Sequence, residues 1–520
     1  NGGKSIDDDD AQYPHGLKLF ILTTALAMAT FLIALDNTII ATAIPQITTA
    51  FNSLEDVGWY GSSYLLTTTS LQPSFGKIYA YFDVKWVYLA ALLIFEVGSI
   101  VCAAATTSTM LIIGRAVAGV GAAALFSGGL TIVAYSVPLR KRPIYIAALS
   151  STFGIAAVVG PILGGVFTDH VSWRWCFWIN LPLGAITLVV VAWCFPNPSG
   201  RHPDMTTRHK LEQIDFGGAA LLVTAVVCLL LALHWGGIVY PWDDARVWGP
   251  LVLTAIFLGG FVAEQRSRGD TATIPPRIVR QRTVAFCALF SCFLAMALYT
   301  HVYYLPFYFQ AVKGTSAEGS GLRCIPYLVS LTLSSLITGA LITYVGHYVP
   351  ILWVGSAIFV VGSALLHTLD VDTPTAYWVG AELLAGVGVG ACVQTPFVAV
   401  QVVLDEKDMP IGNALIIFSN TLGGAVAVSL AHNIFSNALR AQLPGLAPGI
   451  SPLLVLHAGA THLRSAVSPA ALAGVLRAFA AALATAFVLP VVAAGLALGA
   501  SAGVEWRTVR GRGLRVGGVA

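Results

Sequence analysis

The chain is a succession of uncharged apolar stretches, each long enough to cross a lipid bilayer, and that pattern constrains everything else about it. A helix of about 20 apolar residues covers the hydrocarbon layer. Six such spans are expected near 17–46, 57–80, 87–106, 110–136, 143–168 and 173–195. Two more lie near 216–235 and 247–264, and six follow near 283–311, 321–346, 349–368, 376–403, 410–436 and 478–503. Only helices and closed barrels satisfy their backbone hydrogen bonds in lipid. The short alternating strands of a barrel are missing from the pattern. The expected fold class is therefore an all-α polytopic membrane protein with about 14 spans.

Composition agrees. Of the 520 residues, 57% are hydrophobic and 10% charged, against roughly 25% charged in soluble domains. The net charge of +3 is too small, and its basic residues too scattered, to suggest a nucleic-acid partner. The eight cysteines form no CxxC pair and sit in or beside apolar runs. They read as small buried side chains, with no metal site or cofactor expected. The chain opens on Asn1, which leaves its natural N-terminus open.

The spans group as six, two and six. The expected organisation is a tail over 1–16, a six-helix bundle over 17–195, a linker with two extra helices over 196–282, a second six-helix bundle over 283–503, and a basic tail over 504–520. With both ends in the cytoplasm, most of the 28 basic residues fall on the cytoplasmic side, as the positive-inside rule requires. The rule demands an even count and does not by itself separate 12 from 14. The segment 437–477 is expected outside, with its apolar run LLVLHAGA on the membrane surface.

A few polar residues interrupt the apolar runs. Asp36 sits in LDNTIIATAIP, Leu35 to Pro45. A carboxylate at that depth costs on the order of 2.5–3.5 kcal/mol, so it is expected to have a job, and proton uptake and release is the obvious one. Arg115, in GRAVAGVG, stays charged and must face a partner or water. It enters its span from the outer end, at a depth that allows pairing with Asp36. Glu96, in LLIFEVGSI, reads equally as a proton carrier or a carboxyl bonded inside the bundle. Glu382 lies nearer the outer end of its span and is expected to be wet.

Other motifs concern packing and recognition. GIAAVVGPILGG places Gly154, Gly160, Pro161, Gly164 and Gly165 in one span. Small residues let helices touch, and proline bends them. The cluster YTHVYYLPFYFQ puts His301, Tyr304 and Tyr308 at helical spacing. An interfacial aromatic belt is the expected reading, with part of it lining a cavity. Gln394 and Gln401 share a helix face, and Gln72 lies inside the second span; all three are candidate substrate contacts.

These motifs, in this order, resemble the major facilitator superfamily, specifically the fungal 14-span drug:proton antiporters. LDNTIIATAIP is similar to the first-span signature, GRAVAGVG to the fourth-span motif and GIAAVVGPILGG to the fifth-span antiporter motif. WRWCFWINLPLG, from Trp173, and YYLPFYFQAVKG, from Tyr303, resemble fungal members. One departure is in the loop after the second span, GKIYAYFDVKW. Gly76, Lys77 and Lys85 fit the pattern there. Ala80 stands for the usual acid and Asp83 for the usual glycine, which puts the family's cytoplasmic charge network in doubt.

The resemblance implies two six-helix bundles plus two extra central helices. It implies proton-coupled export of a small amphipathic molecule, such as a fungal toxin or other secondary metabolite, by alternating access. The protein is expected to be a monomer in the plasma membrane, with vacuolar or vesicle membranes as alternatives. Asp36, Arg115 and Glu96 would handle the proton. Another cargo, a siderophore or a vacuolar basic amino acid, is an alternative; so is a receptor or scaffold that moves nothing. The proton gradient replaces a cofactor. GGKS at Gly2–Ser5 echoes a phosphate loop, but no strand or correctly spaced glycine precedes it. An enzyme is not expected, since no HExxH occurs and the histidines are scattered.

Overall fold

The computed structural model describes residues 16–51, 57–195, 206–237, 240–452, 454–455, 463–464 and 467–509. Most of the N-terminal tail, residues 196–205 of the linker, the HAGA part of the apolar run and the tail beyond Val509 lie outside the described residues. The rest is helical: α1 Gly16–Phe51, α2 Val57–Tyr81, α3 Val84–Ala103, α4 Ser108–Ser136, α5 Arg142–His170 and α6 Asn180–Cys194. Then come α7 Phe216–Trp235, α8 Ala245–Arg268, α9 Arg282–Phe307, α10 Ile325–Val345, α11 Val349–His367, α12 Thr375–Val393 and α13 Met409–Leu446. The last, α14, runs Pro469–Ala486 and continues as Val488–Ser501.

Among the described residues, twelve helices are long and apolar enough to cross a membrane. Helices α2 and α5 are not among them, although they have 25 and 29 residues. The expected count of fourteen is therefore not reached by that criterion. In α2 the cause is chemical: Ser62, Ser63, Thr67, Thr68, Thr69, Ser70 and Gln72 dilute its apolar character. Two other boundaries differ. Helix α13 runs past the expected 436 to Leu446, and α14 begins at Pro469 rather than 478. Much of the expected outer segment 437–477 is thus helix.

The helices pair in a repeated pattern. In the first half α1 packs on α5 and α6, and α4 on α2 and α3. In the second half α9 packs on α13 and α14, and α12 on α10 and α11. The halves meet where α2 packs on α13 and α5 on α10. The inserted helix α7 lies against α2 and α13, while α8 packs on α7 outside it. Only 11% of the apolar stretch of α8 is buried, against 78% for those of α4 and α12. Exposed Val252, Ile256 and Leu258 on α8, like Val329, Leu333 and Ile337 on α10, offer lipid an apolar surface.

Glycines permit the tightest approaches. A Cβ on Gly98 of α3 would run into the backbone of Ala118 on α4. Asp215 starts α7 by accepting the Gly218 N–H at 2.7 Å, as an N-cap should. Its carboxylate also accepts the Gln265 amide at 2.7 Å and lies 3.1 Å from Arg268, so one side chain ties α7 to α8.

Candidate functional site

The first half encloses one charged cluster. Asp36 of α1 and Arg115 of α4 are both fully buried, and Arg115 Nη1 donates to Asp36 Oδ2 at 2.5 Å. Arg115 Nε donates to the Tyr60 carbonyl at 2.9 Å. Its guanidinium lies 4.4 Å from the centre of the Tyr64 ring, a cation–π geometry. Asn180, at the start of α6, donates to Asp36 Oδ1 at 3.2 Å and to Ser99 Oγ at 3.1 Å. Five helices thus contribute to the cluster, and two side chains, Arg115 and Asn180, bond the carboxylate itself. The sequence reading missed Asn180; a lone amide in the apolar run of WRWCFWINLPLG was the available signal.

The cluster is not fully satisfied. Arg115 Nη2 and Asn180 Oδ1 have no hydrogen-bond partner. Nor does either carboxylate oxygen of Glu96, a half-buried side chain of α3 whose carboxylate is shielded from solvent and feels the charge of Asp36. A Cβ on Gly184 would collide with the Glu96 carboxyl, so the glycine of α6 makes room for it. A set of buried donors and acceptors left partly unpaired is costly in one arrangement. It is what a site needs if its bonding changes between two states.

A second group of charges lies at the end of the molecule that holds the 82–83 and 404–408 turns. Lys77 of α2 is buried, and its ammonium donates to the Asp270 carbonyl at 2.5 Å. Arg277 bonds the Asp270 carboxylate at 2.7 Å and grips Asp408 with two bonds of 2.6 and 2.7 Å. Asp408 precedes α13. The loop after α8 therefore links α2 in the first half to α13 in the second. Gly76 brings α2 so close to α13 that a Cβ would lie 2.6 Å from Ala414 Cβ. Arg142 reaches across to Met409 Sδ at 3.5 Å. Asp83 and Lys85 take no part in these bonds: Asp83 precedes α3 without a side-chain cap bond. The latch is present but built from Arg277, Asp270 and Asp408, none of which the loop motif pointed to.

The fifth-span glycines divide. Gly154 faces Thr332 and Leu328 of α10, at the seam between the halves. Gly160 faces Thr38 of α1, whose hydroxyl donates to the Ala156 carbonyl at 3.1 Å. Gly164 is buried, and its carbonyl accepts from Thr168. Gly165 departs from the packing expectation, because an added Cβ there would meet nothing within 4 Å. Pro161 lies within the unbroken helix α5; its side chain is outside the described residues.

The aromatic cluster is a correction. His301, Tyr304 and Tyr308 are buried within the second half, not arrayed at an interface. Tyr308 donates to the Asp370 carbonyl at 2.9 Å, and Tyr304 packs on Phe307 and Phe435. Tyr303 and Phe307, on the opposite face, are the exposed ones. Glu382 is a further correction: it is 0% exposed rather than wet.

The amides behave differently from one another. Gln394 is occupied, donating to the Ser335 carbonyl at 2.6 Å and accepting from its hydroxyl. It also breaks α12 from the following helix Thr395–Val403, which carries Gln401. Gln72 has no partner for either amide atom. Gln401 makes one weak contact of 3.5 Å with Asn413. GASAG, Gly499–Gly503, has the outline of a nucleophile turn, but Ser501 is buried and donates to the Leu498 carbonyl at 2.6 Å.

Comparison with known proteins agrees with this architecture. The family model described as Major Facilitator Superfamily matches residues 26–428. The MFS-type efflux pump MFS1 of Trichophyton rubrum is 45% identical over 509 residues, covering 98% of this chain and 95% of its own. Efflux pump aflT of Aspergillus parasiticus is 42% identical over 499 residues, covering 95% of this chain and 97% of its own. Among solved structures, the human organic anion transporter MFSD10 superposes with a TM-score of 0.57 at 14% identity, covering 92% of this chain and 100% of that one. That likeness concerns the fold alone.

Proposed function

This chain belongs to the Major Facilitator Superfamily and is an integral membrane transporter of small molecules, not an enzyme, and we propose that it exports an amphipathic secondary metabolite in exchange for protons. The observation that carries the proposal is the buried Asp36–Arg115 pair, held by Asn180 and flanked by the unpartnered Glu96. Efflux-pump relatives from fungi support the direction of transport. We further propose fourteen spans, with 17–195 and 283–503 as the two moving halves, in a monomer of the plasma membrane.

In this scheme Asp36 is ionised while Arg115 holds it. When the halves rock, α1 and α4 shift within the first half, the pair lengthens and Asp36 accepts a proton from the outside. Asn180 stays on Asp36 in both states, since an amide can face a carboxyl or a carboxylate. Return of the pair expels the proton inward. Each pH unit of gradient is worth about 1.4 kcal/mol, and each 100 mV adds roughly 2.3 kcal/mol per charge. Cargo would sit at the seam, where Gln72, Gln401 and Asn413 retain unpaired amide atoms.

The test is transport in sealed vesicles with an imposed pH gradient, using a panel of labelled hydrophobic metabolites. Wild type should concentrate at least one compound, and Asp36→Asn should only equilibrate it. Equal pumping by both would remove Asp36 from the coupling step.

A further inference from the structure

Helix α12 repeats helix α4. The sequence AGVG of Ala118–Gly121 recurs as Ala385–Gly388, and the surroundings of the two copies match position by position. Gly98 of α3 abuts Ala118, and Gly362 of α11 abuts Ala385. Gly119 faces the Tyr64 carbonyl and Thr67 of α2, while Gly386 faces the Tyr327 carbonyl and Ser330 of α10. Gly121 abuts Phe95 of α3, and Gly388 abuts Phe359 of α11. Three positions before each AGVG stand Arg115 and Glu382. They are equivalent positions carrying opposite charges.

What surrounds them differs. Arg115 has Asp36. Glu382 is fully buried; neither carboxyl oxygen makes a well-formed hydrogen bond, and the Tyr327 backbone N–H is the donor turned toward them. The helices packed against α12 offer no cation. Helices α10 and α11 contain no lysine or arginine. The arginine that opens α9, Arg282, is bonded to the Gly503 carbonyl at 2.9 Å. Arg323, just before α10, lies over the Phe309 ring. The titratable groups facing Glu382 are Cys324 and Tyr327. On α12 itself, Tyr377 bonds Thr368 and Cys392 bonds Ser356. Helix 395–403 adds no titratable group. Behind Tyr327, His301 of α9 meets its hydroxyl at 3.5 Å, and the other ring nitrogen of His301 is unpartnered.

An ionised carboxylate removed from water with no cation beside it is among the costliest groups to bury; the neutral acid avoids most of that cost. We propose that Glu382 is a second proton-binding site, placed in the second half at the position equivalent to Arg115, and that it keeps its proton while α10 and α12 are packed as here. It releases the proton to water when those helices part. The transporter then has one proton site in each half, one governed by an ion pair and one by burial. The role in transport rests on the proton-exchange reading of the Asp36 cluster; the bound proton does not.

Infrared spectroscopy of the purified full chain in detergent at neutral pH tests it, through the carbonyl stretch of protonated carboxyls. Glu382→Gln should lose one such band, and Asp36→Asn should keep it. A spectrum in which Glu382→Gln retains the full protonated-carboxyl intensity overturns the proposal. Should that variant fold poorly, wild type answers with dicyclohexylcarbodiimide, which modifies protonated carboxyls in apolar surroundings. Mass spectrometry should find the label on Glu382, and its absence there overturns the proposal. Failure of proton exchange at Asp36 would show separately, as vesicle transport unaffected by Asp36→Asn while the Glu382 band remains.

Discussion

Removing either charge of the Asp36–Arg115 pair should destabilise the protein far more than removing both. The side chains are 1% and 0% exposed, so neither water nor salt screens them. Two unit charges about 4 Å apart attract by about 4 kcal/mol at an effective dielectric near 20. Asp36→Asn keeps the shape and the Asn180 contact but leaves the Arg115 charge uncompensated, with the Tyr60 carbonyl, a long bond to the Asp36 carbonyl and the Tyr64 ring to stabilise it. Breaking a buried pair this way costs roughly 3–5 kcal/mol. Arg115→Met should cost a similar amount. The double variant carries no buried charge and should lose no more than about 2 kcal/mol, because a neutral replacement of a buried pair is often nearly free. The assay is a double-variant cycle, with unfolding in mixed micelles of rising dodecyl sulfate followed by tryptophan fluorescence. The expected interaction energy is at least about 4 kcal/mol, well above the ~0.6 kcal/mol average for interhelical hydrogen bonds in membranes. It should not change with added salt. Additivity of the two single variants to within about 0.5 kcal/mol would show that the pair contributes nothing, and the reasoning from burial would be wrong.

Three further outcomes are expected. Arg277→Gln should loosen the latch by about 1 kcal/mol, a modest value because the guanidinium is 45% exposed, and amide exchange across 269–281 should quicken; unchanged exchange would mean the loop is held by something else. The Asp215 carboxyl is opposed by burial but more than compensated by the Gly218 and Thr273 N–H groups, Gln265 and Arg268, so it titrates below its ordinary 3.8. Its stabilisation is therefore complete above that value and is lost as pH falls below it; the protection of amides at the start of α7, relative to their intrinsic exchange rates, should fall on acidification in wild type and stay unchanged in Asp215→Asn. Gly98→Ala should cost about 1–3 kcal/mol by overpacking against Ala118, whereas Gly165→Ala, whose new methyl meets no atom within 4 Å, should be neutral or gain up to about 1 kcal/mol in melting experiments; equal effects would refute the distinction between the two glycines.

The membrane class and most of the helices were legible in the sequence, because lipid demands unbroken apolar length and the chain supplies it. Asp36 and Arg115 stood out for the same reason: a charge in such a run is conspicuous. The sequence left open how each helix is rotated. Many of these helices are apolar on every side, so periodicity offers no face to read. That is why Glu382 read as wet and is buried, why His301, Tyr304 and Tyr308 read as a belt and are internal, and why Gly165 read as packed and is open. The latch was hidden for another reason. Arg277, Asp270 and Asp408 lie on short connections, where charge is ordinary, and only the approach of the two halves turns them into partners. Hydropathy fixed how many apolar stretches the chain has and how long they are. Tertiary packing alone decided which of the few polar side chains would meet.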